Sequence, residues 1–232
     1  MKEGFRVYDT DTHIDPGADV LEKYVDPGFR PRLDDLAPYR RAIKSRSVDG
    51  SIRHTYSFAH KASAPWARPS RVPDRLTAAH GAARGGRARG VVDDRSDNRV
   101  LDMDVEGSDV HFLVPSVWTS VVGLPDVSLE IGLIRAYHRF MNEFCRPFPD
   151  RLQGPIVAST RDVGEAAREI REWGNSKWAV AVQPLLDNDR PVDHPDLEPI
   201  WRAASPTSRV EATIGPLSRS GTGPQDSFMK RW

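Results

Sequence analysis

An α/β fold built on parallel strands is predicted by three observations. Between residues 96 and 204, apolar runs of strand length alternate with amphipathic stretches of helix length. The apolar runs are near-continuous rather than alternating, as in strands buried on both faces. The stretches that separate them are long enough to be the crossover helices that parallel strands require.

The elements follow in chain order. Phe5 to Thr12 reads as a strand. Ala18-Asp19-Val20-Leu21-Glu22-Lys23-Tyr24-Val25 suits a short helix that Asp26-Pro27-Gly28 turns out of, within an irregular excursion from Gly17 to Tyr39. The aromatics Tyr24, Phe29 and Tyr39 are expected to pack on the domain. Residues 40–95 hold few core-building residues and carry an Arg-Gly cluster at Gly81–Gly90, so a solvated irregular loop is expected there, with His54, His60 and His80 as surface histidines. Ser96 to Gly107 begins with capping residues and ends on a glycine, the marks of a short helix. Val110 to Pro115 is the next strand, with His111 as a core histidine. Leu129, Leu133, Ile134, Tyr137, Phe140, Met141 and Phe144 recur at three and four, a helix over 128–144 whose apolar stripe core packing explains. Gly154 to Ser159 reads as a strand. Asp162 with Glu165 three residues on makes a capping box for a helix that Gly174 ends. Trp178 to Leu185 is a further strand and Asp196 to Ala204 a further helix.

Composition removes several classes of function. The 232 residues carry 33 Lys and Arg against 33 Asp and Glu, so the positive field of a nucleic-acid binder is missing. No stretch approaches the roughly 20 apolar residues of a membrane span, and the amino terminus lacks an apolar signal core, so a cytoplasmic setting is expected. The single Cys145 excludes an internal disulfide and reads as a small buried hydrophobe.

Chemistry concentrates in Val7-Tyr8-Asp9-Thr10-Asp11-Thr12-His13-Ile14-Asp15-Pro16. If this stretch is extended, Asp9, Asp11 and His13 project on one side and Thr10, Thr12 and Ile14 on the other. Carboxylate and imidazole two positions apart can reach one divalent ion. The same residues also serve at strand ends as caps and turn formers, bonding local backbone.

Four stretches in order, Val7–Pro16, Arg99–Val110, Pro149–Gly154 and His194–Trp201, resemble the amidohydrolase-related family, in the branch of the aminocarboxymuconate semialdehyde and resorcylate decarboxylases. The resemblance implies a partial TIM-type (β/α) barrel with a long irregular loop after strand one, and a site at the carboxy-terminal strand ends. It places Asp11 and His13 at the strand-one positions that hold a divalent metal ion, Zn or Mn, as the acid-x-His variant of the more usual His-x-His. The anionic ligand favours the harder Mn. The barrel domain is expected over residues 1–204, with 40–95 as the loop insertion. A complete barrel takes roughly 250 residues, so this chain has room for about four βα units. At Ser205 the resemblance stops: Ser205-Pro206-Thr207-Ser208-Arg209 interrupts the helix, and 205–232 contains no histidine and Asp226 as its only aspartate. The segment 205–232 reads as an irregular, non-native tail after a truncation or frameshift.

The resemblance implies a metal-dependent hydrolase of a small carboxylated or cyclic organic substrate, or else a non-hydrolytic decarboxylase of an aromatic or enol acid. Because the later catalytic residues of the family are missing, a third reading, a non-catalytic remnant or a subunit completed by another chain, stands beside these. The expected partners are a small-molecule substrate and a second copy in a homo-oligomer, with neither nucleic acid nor membrane.

Overall fold

In a computed structural model of the chain, residues 4–46, 52–58, 95–115, 118–186, 190–205 and 211–212 are described. Strand β1 (Tyr8–Ile14) lies beside β4 (Val110–Pro115), then β5 (Leu152–Ser159), β6 (Ala179–Leu185) and the two-residue β7 (Glu211–Ala212), in that order across one sheet. All four adjacent pairs are parallel. The chain returns between them through α2 (Ser96–Glu106), α3 (Val127–Cys145), α4 (Val163–Trp173) and α5 (Glu198–Ala204). A sheet of successive parallel strands with a helix on every return is an open arc of a (β/α) barrel.

Local sequence chemistry fixes these elements. At the end of α2, Gly107 adopts a φ of 81°, where a side chain is strained, and its N–H bonds to the Met103 carbonyl at 2.8 Å. Its start is not side-chain capped: Arg95 holds the cap position and its guanidinium pairs with Asp97, so the expected capping role of Ser96 and Asp97 is not taken up. The α3 start is capped by Asp126, whose carboxylate accepts the Ser128 N–H at 2.8 Å. The expected cap of α4 forms, with the Asp162 carboxylate accepting the Glu165 N–H at 3.0 Å.

The core lies between the sheet and α3 and α4, around Ile14, Leu113, Tyr137, Met141, Leu152, Ile156 and Val182. Gly154 has to be glycine. A Cβ there would sit 2.9 Å from the Leu113 carbonyl oxygen and 2.8 Å from Met141 Cε.

The excursion after β1 is more ordered than its sequence suggests. The expected helix over 18–25 is the single turn α1 (Ala18–Leu21), and a 3-10 helix covers Arg30–Tyr39. Within the stretch expected to be an irregular loop, β2 (Arg40–Arg46) and β3 (Ile52–Tyr56) form an antiparallel hairpin. Tertiary contacts hold it. Asp19 and Glu22 beside α1 receive the Arg40 guanidinium, Glu22 accepts the Tyr56 hydroxyl at 2.8 Å, and Tyr56 stacks on Phe58. His54 is therefore not a surface histidine: its N–H and Nδ1 meet Asp19 at 2.7 and 3.2 Å. His60, His80 and the Arg-Gly cluster lie outside the described residues. Tyr24, Phe29 and Tyr39 pack half-buried on the core as expected. In the segment expected to be an irregular tail, Glu211–Ala212 pairs with β6, an extension of the sheet that short-range sequence cannot announce. Among the described residues no helix is long and apolar enough to cross a membrane.

Candidate functional site

The carboxy-terminal half of β1 alternates in burial. Thr12 and Ile14 are buried, whereas Asp11 and His13 are exposed, 93% and 57% at the side chain. The Asp11 carboxylate and His13 Nε2 stand 3.8 Å apart. This is the pair that the sequence pattern brings together at the strand end.

Asp9 does not join it. Between Asp9 and Thr12 the chain takes three steps while β4 takes two from His111 to Leu113, a register shift in the β1–β4 pairing. Side chains alternate along a strand, so one extra residue moves everything before it to the opposite face. Asp9 therefore shares a face with Thr12 and His111, not with Asp11 and His13. The expectation of three acidic and imidazole groups on one side fails for this reason.

The opposite face is where charge is managed. Burial pushes the Asp9 carboxyl upward, but the Asp11 N–H at 3.0 Å together with the neighbouring Thr12, His111 and Arg99 side chains outweighs it and holds the group below its usual range. His111 is buried, as expected of a core histidine, with Nε2 3.9 Å from the Glu106 carboxylate. Arg99, on α2, donates from Nη2 to the His13 carbonyl at 2.9 Å. Sequence reasoning missed Arg99, whose partner lies 86 positions earlier and leaves no local signal. Cys145 is buried, and that burial pushes its thiol well above the ordinary range, so it is an inert packing group.

The donor set suits a divalent ion in type and spacing. A carboxylate and an imidazole 3.8 Å apart on the open face of the sheet can converge on one ion with small side-chain adjustments. They make two ligands. Among the described residues no group of three or more His, Cys, Asp or Glu side chains converges on a point. A shallow hollow lined by Arg171, Asp196, Glu198 and Arg202 lies on the outer helical layer and includes no strand end.

No family model matches the sequence, and no curated protein matches it. Solved structures do. An amidohydrolase from Mycobacterium avium subsp. paratuberculosis K-10 superposes with a TM-score of 0.55 at 17% identity, over 90% of this chain and 58% of that one. The architecture is that of a TIM-type (β/α) barrel, present in part. A 5-carboxyvanillate decarboxylase from Novosphingobium aromaticivorans DSM 12444, with bound manganese and 3-methoxy-4-hydroxy-5-nitrobenzoic acid, gives 0.54 at 18% identity over 90% of this chain and 51% of its own. A 5-carboxyvanillate decarboxylase from Sphingomonas paucimobilis gives 0.50 at 18% identity, covering 89% and 50%. The chain thus spans about half the length of the solved structures it matches.

Proposed function

We propose that this chain carries the strand-one part of a metal-dependent amidohydrolase-type site and that its chemistry is non-hydrolytic decarboxylation of an aromatic carboxylic acid. The observation that carries the reading is the Asp11–His13 pair, exposed together at the carboxy-terminal end of β1, the end of the strand at which barrels of this kind place their active sites. Two of the three solved structures described above are decarboxylases by name, which favours decarboxylation over the hydrolysis that the family resemblance also implies. A divalent ion would supply a Lewis acid that anchors the substrate carboxylate and a neighbouring oxygen and stabilises the charge that builds there.

The chain's own residues have definite tasks in this reading. Asp11 provides an anionic oxygen ligand and His13 a neutral imidazole nitrogen. The alternation of β1 keeps both groups on the open side of the sheet while Thr12 and Ile14 anchor the strand in the core. Mn is preferred to Zn, because a carboxylate ligand and room for further oxygen donors suit the harder ion.

The test is CO₂ release from ortho-hydroxylated benzoic acids by the full chain with Mn²⁺, measured beside hydrolysis of amides and lactones. Manganese-dependent CO₂ release that Asp11→Ala combined with His13→Ala abolishes is the expected result. Hydrolysis without CO₂ release would overturn the decarboxylase reading, and manganese binding that survives the double substitution would overturn the site.

A further inference from the structure

We infer that Arg99 is the positioning residue of the Asp11–His13 pair, setting the reach of its two donor atoms from the far side of the sheet. The inference rests on the metal reading of that pair given above. Both residues are exposed at the side chain, so no packing fixes their rotamers. What is fixed is their backbone. The Asp11 N–H is taken by the Asp9 carboxylate at 3.0 Å, and the His13 carbonyl is taken by Arg99 Nη2 at 2.9 Å.

Three features make the Arg99 bond decisive at this place. First, β1 is the edge strand of the five-stranded sheet, so β4 supports it from one side among the described residues. Second, the register shift between Asp9 and Thr12 interrupts that support immediately before Asp11 and His13. Third, Arg99 is itself fixed: it is 4% exposed and sits within α2. Arg99 and Asp9 thus form one charged support under the strand end, each bonding the backbone of one member of the pair. A guanidinium suits the task because it stays charged when buried and its planar fork has a defined direction. The carbonyl of a ligand residue is an outer-shell group for the ion, and outer-shell partners set ligand orientation and affinity.

The test is Mn²⁺ binding to the full chain, followed by loss of the free-manganese EPR signal on titration, with far-UV circular dichroism and the metal-free melting temperature measured on the same samples. Arg99→Met is expected to weaken Mn²⁺ binding roughly tenfold, the scale on which outer-shell substitutions act. Arg99→Lys, which keeps the charge but not the fork, is expected to show a smaller loss in the same direction. A merely structural role would lower the melting temperature and leave the affinity of the folded protein unchanged. Folded Arg99→Met with the parent's affinity would overturn the inference. If Arg99→Met does not fold, Arg99→Lys decides: weakened binding supports the positioning role and parental affinity overturns it. The double substitution of Asp11 and His13 separates this failure from that of the site, since loss of binding there with parental binding in the Arg99 variants removes only the role of Arg99.

Discussion

Two carboxylate–imidazole pairs in this chain use the same chemistry to opposite ends. His138 on α3 and Glu169 on α4 meet at 2.6 Å with side-chain exposures of 0% and 5%, whereas His13 and Asp11 stand 3.8 Å apart at 57% and 93%. The buried pair is saturated. His138 Nε2 accepts the Val157 N–H at 3.0 Å, which leaves the ring proton on Nδ1 for Glu169, and Glu169 also accepts the Trp173 indole N–H at 3.1 Å. Every polar atom named there has a protein partner, so nothing is left to offer a ligand. At the strand-one pair the backbone is held and the side chains are not, and their lone pairs face outward. Residue type therefore says little about role, and the number of lone pairs already committed says a great deal.

The largest expected effect tests the buried half of this contrast. His138→Ala leaves the Glu169 carboxylate without its buried partner, and breaking a buried pair of this kind costs roughly 3–5 kcal/mol, to be read from urea denaturation. Asp11→Ala, by contrast, removes an exposed group and should change metal-free stability by less than about 0.5 kcal/mol. A large loss from Asp11→Ala would show that the strand-one pair is structural after all. Next in size, Mn²⁺ at a hundredfold excess over its dissociation constant should raise stability by about 2.7 kcal/mol, and the combined Asp11 and His13 substitution should remove that increment. Gly154→Ala forces a methyl group against the Leu113 carbonyl and should cost about 1–3 kcal/mol without weakening Mn²⁺ binding, since it acts in the core alone.

The smallest effect is a pH dependence. Burial raises the Glu169 carboxyl, but the bonds it accepts from His138 and from the Trp173 N–H outweigh this and lower its pKa. A depressed folded value means that the stabilisation is fully present above the ordinary carboxylate range and is lost as pH falls below it through the folded value. Glu169→Gln should flatten this acid limb of a pH–stability curve. An unchanged limb would assign the acid sensitivity elsewhere, with Asp126, held at about 2 by the Ser128 hydroxyl and Arg32, as the next group to replace.

How much of this was legible in the sequence depends on the range of the interactions. The alternation of strands and helices from Ser96 onward, the Asp162 cap and the Gly107 stop are local, and the structure carries them as read. The pairing of Asp11 with His13 is local too, because a two-residue spacing on a strand fixes the face. Asp9 was misplaced because a register shift depends on the neighbouring strand, 102 positions away from Asp9 in the case of His111, and no residue of β1 announces it. The hairpin of β2 and β3 escaped notice for a similar reason: its sequence is polar, and its stability comes from Asp19, Glu22 and Tyr56 rather than from an apolar period. Nothing near Arg99 in the sequence points to its carbonyl partner, which lies 86 positions earlier.

The extra residue in β1 has a consequence for how the protein tolerates change in length. Because the strand already carries slack between Asp9 and Thr12, one residue can be lost there without shifting the pairing with the neighbouring strand on either side. A deletion at Thr10 would take up the slack and leave Asp11 and His13 facing as they do now, whereas the same deletion at Thr12 would carry Asp11 into the buried place that Thr12 holds. Within a strand of seven residues, one position is expendable and its near neighbour is not.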